Sequence, residues 1–265
     1  MLIPSSPGRD RECMTLRRGR PAPARLFDVE LRTRKARKLR SMLHDFHGQW
    51  PAGLWGVDIG CSRGVISAVL AEDFALMVAL DIDRASIVWA QKHSRRANTH
   101  FLVADGLQPP LPGGAFDVVI CAQSYEHVPD ARRLSAEIFR LLKPGGVCVF
   151  SGPNRLAPIE DHYGLPLLSW LPRPLASACL RLTGRGQSYQ ERPVTYWGLQ
   201  KLWRDFEIQD YTVAMIRAPE AYSIENELGP FLWLRHLPAW LLRILLIFAP
   251  NYNWILRKPE RATPT

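Results

Sequence analysis

The chain has 265 residues, of which 47% are hydrophobic and 22% charged. These proportions suit one large folded domain, or one domain with an appendage, and exclude wholesale disorder. The 18 glycines and 22 prolines follow no fixed period, which excludes collagen-like and repeat architectures. The formal charge of +9 is local. Residues 1–40 hold twelve Lys and Arg against four acids, net +8, so residues 41–265 carry only +1. That pattern describes a basic arm, which either touches anionic lipid or phosphate or is simply solvated. Five cysteines without CxxC spacing indicate neither a disulfide framework nor a zinc site, and a reducing cytosol fits them. No apolar run of signal-peptide type follows Met1.

Residues 1–25, rich in Arg, Pro and Gly, read as a mobile arm ahead of a domain over 26–265. Residues 29–47 place Val29, Leu31, Leu39, Met42, Leu43 and Phe46 among bases, the pattern of a helix with one apolar face. Short apolar runs then alternate with helical patterns. Strands are expected at 54–60, 76–83, 99–106, 116–124 and 147–154, and helices at 64–74, 84–97 and 130–146. Such alternation means βαβ units and a parallel sheet covered on both faces. From 155 to 193 the alternation stops among five prolines, and we read a cap inserted over the sheet edge, with one short helix between Pro174 and Gly184. A helix at 195–206, a strand at 207–214, an apolar segment at 228–250 and a last strand at 253–259 complete the chain.

The sequence VDIGCSRG, residues 57–64, ends a strand in Asp58 and turns through Gly60 and Gly64 into a helix. Glycine lets backbone approach a ligand closely, and ligands of open α/β sheets bind beyond the carboxyl ends of the strands. Asp81 ends the second strand, where an acid can accept hydrogen bonds from both ribose hydroxyls of a nucleoside. Asp105 and Gly106 close the third strand, and an acid there can accept from an adenine amine. Three acids at three successive strand ends, after one glycine turn, form a pattern that chance rarely produces. A dehydrogenase would need G-x-G-x-x-G, and residues 60–65 read G-C-S-R-G-V, so that spacing fails.

These residues, with LPGGAFDVVICAQSYEHVPD and LLKPGGVCVFSGPN, make residues 55–154 resemble a class I S-adenosylmethionine-dependent methyltransferase of the small-molecule type. The resemblance implies a Rossmann-like, seven-stranded, mostly parallel sheet with helices on both faces and an antiparallel last strand. It implies S-adenosyl-L-methionine as cofactor, held by Asp58, Gly60, Ser62, Gly64, Asp81, Ile82, Asp105, Gly106 and Gln123. Gly60 and Gly64 would border the methionine moiety, Asp81 the ribose and Asp105 the adenine. One departure is Ser62, which stands where the family's G-x-G-x-G has its central glycine. The implied reaction is direct in-line transfer from sulfonium to a nucleophile, in which the enzyme positions the partners and removes a proton where needed. His127, after the fourth strand, and His162, in the cap beside Glu160, Asp161 and Tyr163, are the candidate catalytic residues. Each could equally serve its loop alone, and Glu126 and Tyr125 are weaker candidates. Spacing along the chain shows no metal-ligand cluster.

The acceptor is expected to be a small molecule. CAQSYEHVP, residues 121–129, differs from the Asn/Asp-Pro-Pro-aromatic motif of base N-methyltransferases, which makes nucleic acid an unlikely partner. In 228–250, Trp233, Leu237, Trp240, Leu241, Ile244, Leu245 and Phe248 follow helical spacing, with Arg235 and Arg243 opposite. That is the pattern of an interfacial helix, and also of a buried helix over the sheet. The interfacial reading, joined to the basic arm, suggests a cytoplasmic enzyme at the inner face of a membrane with a lipidic or lipid-linked acceptor. A catalytically silent nucleoside-binding protein and an RNA methyltransferase using the basic arm remain open alternatives. Oligomeric state is left open.

Overall fold

The computed structural model describes residues 28–48 and 50–260, so the arm assigned to 1–25 lies outside the described residues. Seven strands form one sheet: β1 (Trp55–Ile59), β2 (Leu76–Asp81), β3 (Thr99–Val103), β4 (Phe116–Ala122), β5 (Leu142–Pro153), β6 (Glu207–Asp210) and β7 (Asn251–Arg257). Their order is β3-β2-β1-β4-β5-β7-β6. The first five are mutually parallel, while β7 runs antiparallel to both β5 and β6. This is the mostly parallel Rossmann-like sheet that the resemblance implies.

Strand residues alternate between two apolar layers, as a sheet buried on both faces requires. Val57, Ile59, Val119, Cys121, Phe150 and Trp254 belong to one layer. Val118, Ile120, Val147, Val149 and Ile255 belong to the other. The second layer is covered by α1 (Val29–His47), whose Asp28 side chain caps it by accepting from the Leu31 amide at 3.0 Å. Ala36, Leu39, Met42 and Leu43, spaced for one helical face, are at most 1% exposed. The helices α2 (Val65–Leu70) and α3 (Arg84–His93) follow β1 and β2. The first layer is covered by α4 (Ala131–Leu141), capped by Asp130, with Leu134, Ile138 and Leu141 buried. Cys121 and Cys148 are core thiols, and the four cysteines among the described residues are unpaired.

Three expected boundaries are corrected. The helix placed at 130–146 ends at Leu141, and Leu142 already pairs with Phe116 as the first residue of β5. Pro144 cannot continue a helix, and Gly145 takes φ +76°. The strand placed at 207–214 stops at Asp210, whose carboxylate accepts from the Thr212 amide at 2.8 Å and starts α7 (Thr212–Arg217). Before it, α5 (Arg173–Leu182) lies in the cap and α6 (Tyr196–Leu202) follows the cap.

The third correction concerns the apolar segment at 228–250, which is not one helix. After a short α8 (Glu225–Leu228), a 3₁₀ stretch spans Gly229–His236, α9 spans Ala239–Leu245, and another 3₁₀ turn spans Leu246–Phe248. Gly229 at φ +46° and the missing amides of Pro230 and Pro238 interrupt the helical ladder. The face expected to pack or insert is turned outward: Trp233 is 57% and Trp240 64% exposed, while Leu242 and Leu246 are buried. Among the described residues no helix is long and apolar enough to cross a membrane.

Candidate active site

The carboxyl ends of β1, β2, β3, β4 and β5 share one end of the sheet, and the site is assembled there. Gly60 and Cys61 donate their amides to the Leu80 carbonyl at 2.8 and 3.0 Å, which folds the turn over the end of β2. Gly60 has φ +78° and Gly64 φ +67°. A Cβ at Gly60 would sit 2.6 Å from the Ser124 hydroxyl, and one at Gly64 2.3 Å from the Phe101 ring. Both positions therefore demand glycine on two grounds. Ser62 adopts φ +50°, the left-handed conformation that a central glycine would take without cost. Its amide donates to Asp81 Oδ2 at 2.8 Å, which holds the serine there.

Asp81 is buried and accepts a second amide, from Asp83, on Oδ1 at 2.8 Å. A carboxylate with two acceptor sites on each oxygen is the group that a ribose diol would bond. Asp58, equally buried, accepts from the Ser67 hydroxyl at 2.6 Å. Burial pushes its carboxyl up to about 6, against the pull of Ser67 and Arg32. Ile82 and Asp105 are exposed beside the turn. Asp105 Oδ1 accepts from the Leu107 amide at 2.9 Å, and Gly106 lies against Ile59, where a Cβ would meet a methyl at 2.7 Å. Gln123, at φ +57°, donates from its side-chain amide to Asn251 Oδ1 at 2.8 Å, joining the end of β4 to the start of β7.

Beyond β4 the chain meets the cap. Tyr125 is buried, donates its hydroxyl to the Pro153 carbonyl at 2.5 Å and accepts from the Val194 amide at 3.2 Å, so one ring ties together both ends of the cap. Within the cap, Gly164 at φ +63° closes a loop in which Glu160 accepts on its carbonyl from the Gly164 amide at 2.9 Å. That loop carries His162 over the β4 end. His162 Nε2 lies 3.2 Å from His127 Nε2, and both nitrogens lie 3.6 Å from Glu126 Oε1. His162 Nδ1 is bonded to Glu160 Oε1 at 3.1 Å, and Glu160 Oε2 accepts from the Tyr163 amide at 2.7 Å. Burial opposes a charge on His162, but the Glu160 bond and the facing Glu126 carboxylate outweigh it and raise the imidazole to about 9. Burial likewise lifts Glu126, to about 7.

The two histidines, 35 residues apart in sequence, thus meet in one cluster. Spacing along the chain gives no metal-ligand set, whereas the fold brings Glu126, His127 and His162 together with their donor atoms within 4.8 Å of one another. Glu126 is the member that sequence reading undervalued, because its burial follows from the cap, which has no periodic pattern. Arg32 and Lys35, counted among the N-terminal bases, are half-buried. The carboxylates of Asp58, Glu126 and Asp81 face Arg32, and Asp161 faces Lys35. Burial disfavours the charge on both cations. The signal in the sequence was their place one turn ahead of the buried Ala36 and Leu39 on the same helix.

Residues 57–150 match the family model described as a methyltransferase domain. This stretch is thus similar to a methyltransferase domain, on the sheet described above. A ubiquinone biosynthesis O-methyltransferase of Pseudomonas fluorescens (strain Pf0-1) is 34% identical over 108 residues, covering 39% of this chain and 46% of that protein. A protein of the same description from Methylococcus capsulatus is 35% identical over 132 residues, 46% of this chain and 54% of that one. The chain thus matches about half the length of these relatives. Among solved structures, an S-adenosylmethionine-dependent methyltransferase from Mesorhizobium loti superposes with a TM-score of 0.54 at 18% identity, covering 83% of this chain and 95% of that one. A phosphoethanolamine N-methyltransferase 2 from Haemonchus contortus, held with S-adenosylhomocysteine, gives 0.52 at 18% identity over 84% of this chain and 53% of that one.

The residues of this domain fit S-adenosylmethionine as cofactor. The Gly60–Gly64 turn leaves bare backbone where the methionine end would lie. Asp81 offers acceptor capacity for the ribose. Exposed Ile82 and Asp105 would flank the adenine.

Proposed function

We propose that this chain transfers the methyl group of S-adenosylmethionine to a hydroxyl of a small, apolar acceptor presented at a membrane surface. The observation that carries the transfer is the Glu126–His127–His162 cluster set beside the glycine turn, under the cap. The bound cofactor would supply an activated methyl group on a sulfonium centre. This chain's residues would then position it. Asp81 would receive the ribose hydroxyls, Arg32 the methionine carboxylate, and the Gly60 turn the chain between them. The cluster would receive the acceptor hydroxyl and its proton, with His127, its exposed member, facing the acceptor. The cap, held by Tyr125, would exclude water.

The curated relatives described as O-methyltransferases favour oxygen as the acceptor atom. The outward face of Trp233, Trp240 and Phe248 favours a membrane-borne substrate. Calorimetric titration with S-adenosylmethionine tests the cofactor role. Micromolar binding to the wild type is expected, weakened at least about 100-fold in Asp81→Ala, since a buried acceptor for two hydroxyls is lost. Transfer of labelled methyl into a quinone or lipid extract tests the acceptor. A folded protein that binds cofactor without turning over would be the silent binder instead.

A further inference from the structure

The carboxylate of Glu126 is fully buried, and neither of its oxygens has a hydrogen-bond partner among the described residues. A buried carboxylate that faces two imidazoles at 3.6 Å but is hydrogen-bonded by neither is costly unless a positive charge compensates it. Its Oε1 points at two imidazole nitrogens, and those nitrogens point at each other. One proton shared across the 3.2 Å gap links the two imidazoles, whether or not the pair carries a charge, but it leaves the carboxylate oxygens without a hydrogen bond.

A single cation accounts for all three distances. An ion about 2.1 Å from each of three donor atoms spans edges of about 3.0 Å when the bonds are perpendicular and about 3.6 Å when they open to 120°. The edges here are 3.2, 3.6 and 3.6 Å. The outer contacts fit as well. Glu160 accepts at His162 Nδ1, which leaves the Nε2 lone pair directed into the cluster. The Tyr163 amide in turn fixes Glu160.

We infer that Glu126, His127 and His162 form a three-ligand site for a divalent transition metal, with its remaining positions open to the acceptor. Two imidazoles and one carboxylate suit zinc, cobalt or iron(II) better than magnesium, which prefers oxygen. The site is shared between the methyltransferase core, which supplies Glu126 and His127, and the cap, which supplies His162. Metal and cap closure are therefore linked. A cation there would make an acceptor hydroxyl on its open side a stronger acid, so that the proton would leave to solvent before the cap excludes water, and His127 would act as ligand instead of proton acceptor.

The catalytic consequence rests on the proposed methyl transfer, while the metal site stands or falls on its own. The test uses the full chain, stripped with a chelator and titrated with Co²⁺ while its visible absorption is followed. The wild type is expected to develop d–d absorption that saturates near one Co²⁺ per chain. Histidine 162 lies in the cap loop, so His162→Ala should leave the core folded, and it should abolish the absorption. Glu126→Gln, nearly isosteric, should abolish it too, and Glu160→Gln should weaken Co²⁺ binding by about 10- to 100-fold. No Co²⁺ absorption in the wild type would overturn the inference, and so would absorption unchanged in both His162→Ala and Glu126→Gln. S-adenosylmethionine affinity, measured on the same samples, separates this result from the cofactor role. Failure of Co²⁺ binding with cofactor binding intact removes the metal alone.

Discussion

At the scale of single residues, the site separates into what is adjacent in sequence and what the fold brings together. Gly60, Ser62, Gly64 and Asp81 were legible because a glycine turn and an acid at successive strand ends are local patterns with a chemical reason. The structure adds their cost. Asp58 illustrates it: burial raises its carboxyl from 3.8 to about 6. Between those two values the unfolded chain has released the proton and the folded chain keeps it. The group therefore favours folding at low pH, and this contribution is lost as pH rises through about 6. The difference is on the order of 3 kcal/mol at neutral pH. Asp58→Asn keeps an acceptor for the Ser67 hydroxyl and cannot ionise. Its denaturant-derived stability is expected to fall less between pH 4 and 7 than that of the wild type. Equal slopes in the two proteins would contradict the buried, raised carboxyl.

At the scale of elements, apolar alternation located every strand of the sheet, and periodicity located α1 and α4. The errors fell where one residue's backbone chemistry overrode the pattern. Lys143-Pro144-Gly145 looked like a helix stop but is the opening of β5, because Gly145 can turn at positive φ and Leu142 finds a partner in Phe116. Apolar spacing reads 228–250 as one helical insertion with Pro238 at a first turn; α9 does begin directly after Pro238, whereas Gly229 and Pro230 break the part before it. The cap carried no period at all, so the meeting of His162 with Glu126 was not legible from spacing. What holds the cap is a tertiary bond, the Tyr125 hydroxyl between Pro153 and Val194. Tyr125→Phe strands a carbonyl and an amide in a buried place, which costs about 1–3 kcal/mol. The melting temperature should drop by several degrees. Cofactor affinity should change less than about threefold, because the Gly60 turn and Asp81 are untouched. A large loss of cofactor affinity would mean that the cap and the turn are one cooperative unit.

At the scale of the whole molecule, the topology gathers the irregular parts at one end. The cap leaves from the end of β5, and the segment up to Pro250 enters β7 opposite it, since Pro153 pairs with Asn251. Asn154 fixes this junction by donating to the Ile247 and Ala249 carbonyls at 2.7 and 2.9 Å. Both insertions therefore spring from the same end of the sheet as the candidate site, and both expose large apolar side chains. Trp170 and Leu175 do so in the cap, and Trp233, Trp240 and Phe248 in the later segment. Exposed Trp and Phe beside Arg243 are the side chains that settle at a headgroup boundary. A membrane reached by this end would place a lipidic acceptor at the mouth of the site. Changing Trp233, Trp240 and Phe248 together to Ser removes three exposed side chains, so stability should move by no more than about 1 kcal/mol. Co-sedimentation with anionic vesicles should fall at least about tenfold. Part of the wild-type binding should survive raised salt, because insertion of apolar surface is not screened whereas attraction to basic residues is. Binding that vanishes entirely at high salt, and that the triple variant retains, would assign the contact to basic residues alone and remove the structural case for a membrane-borne acceptor.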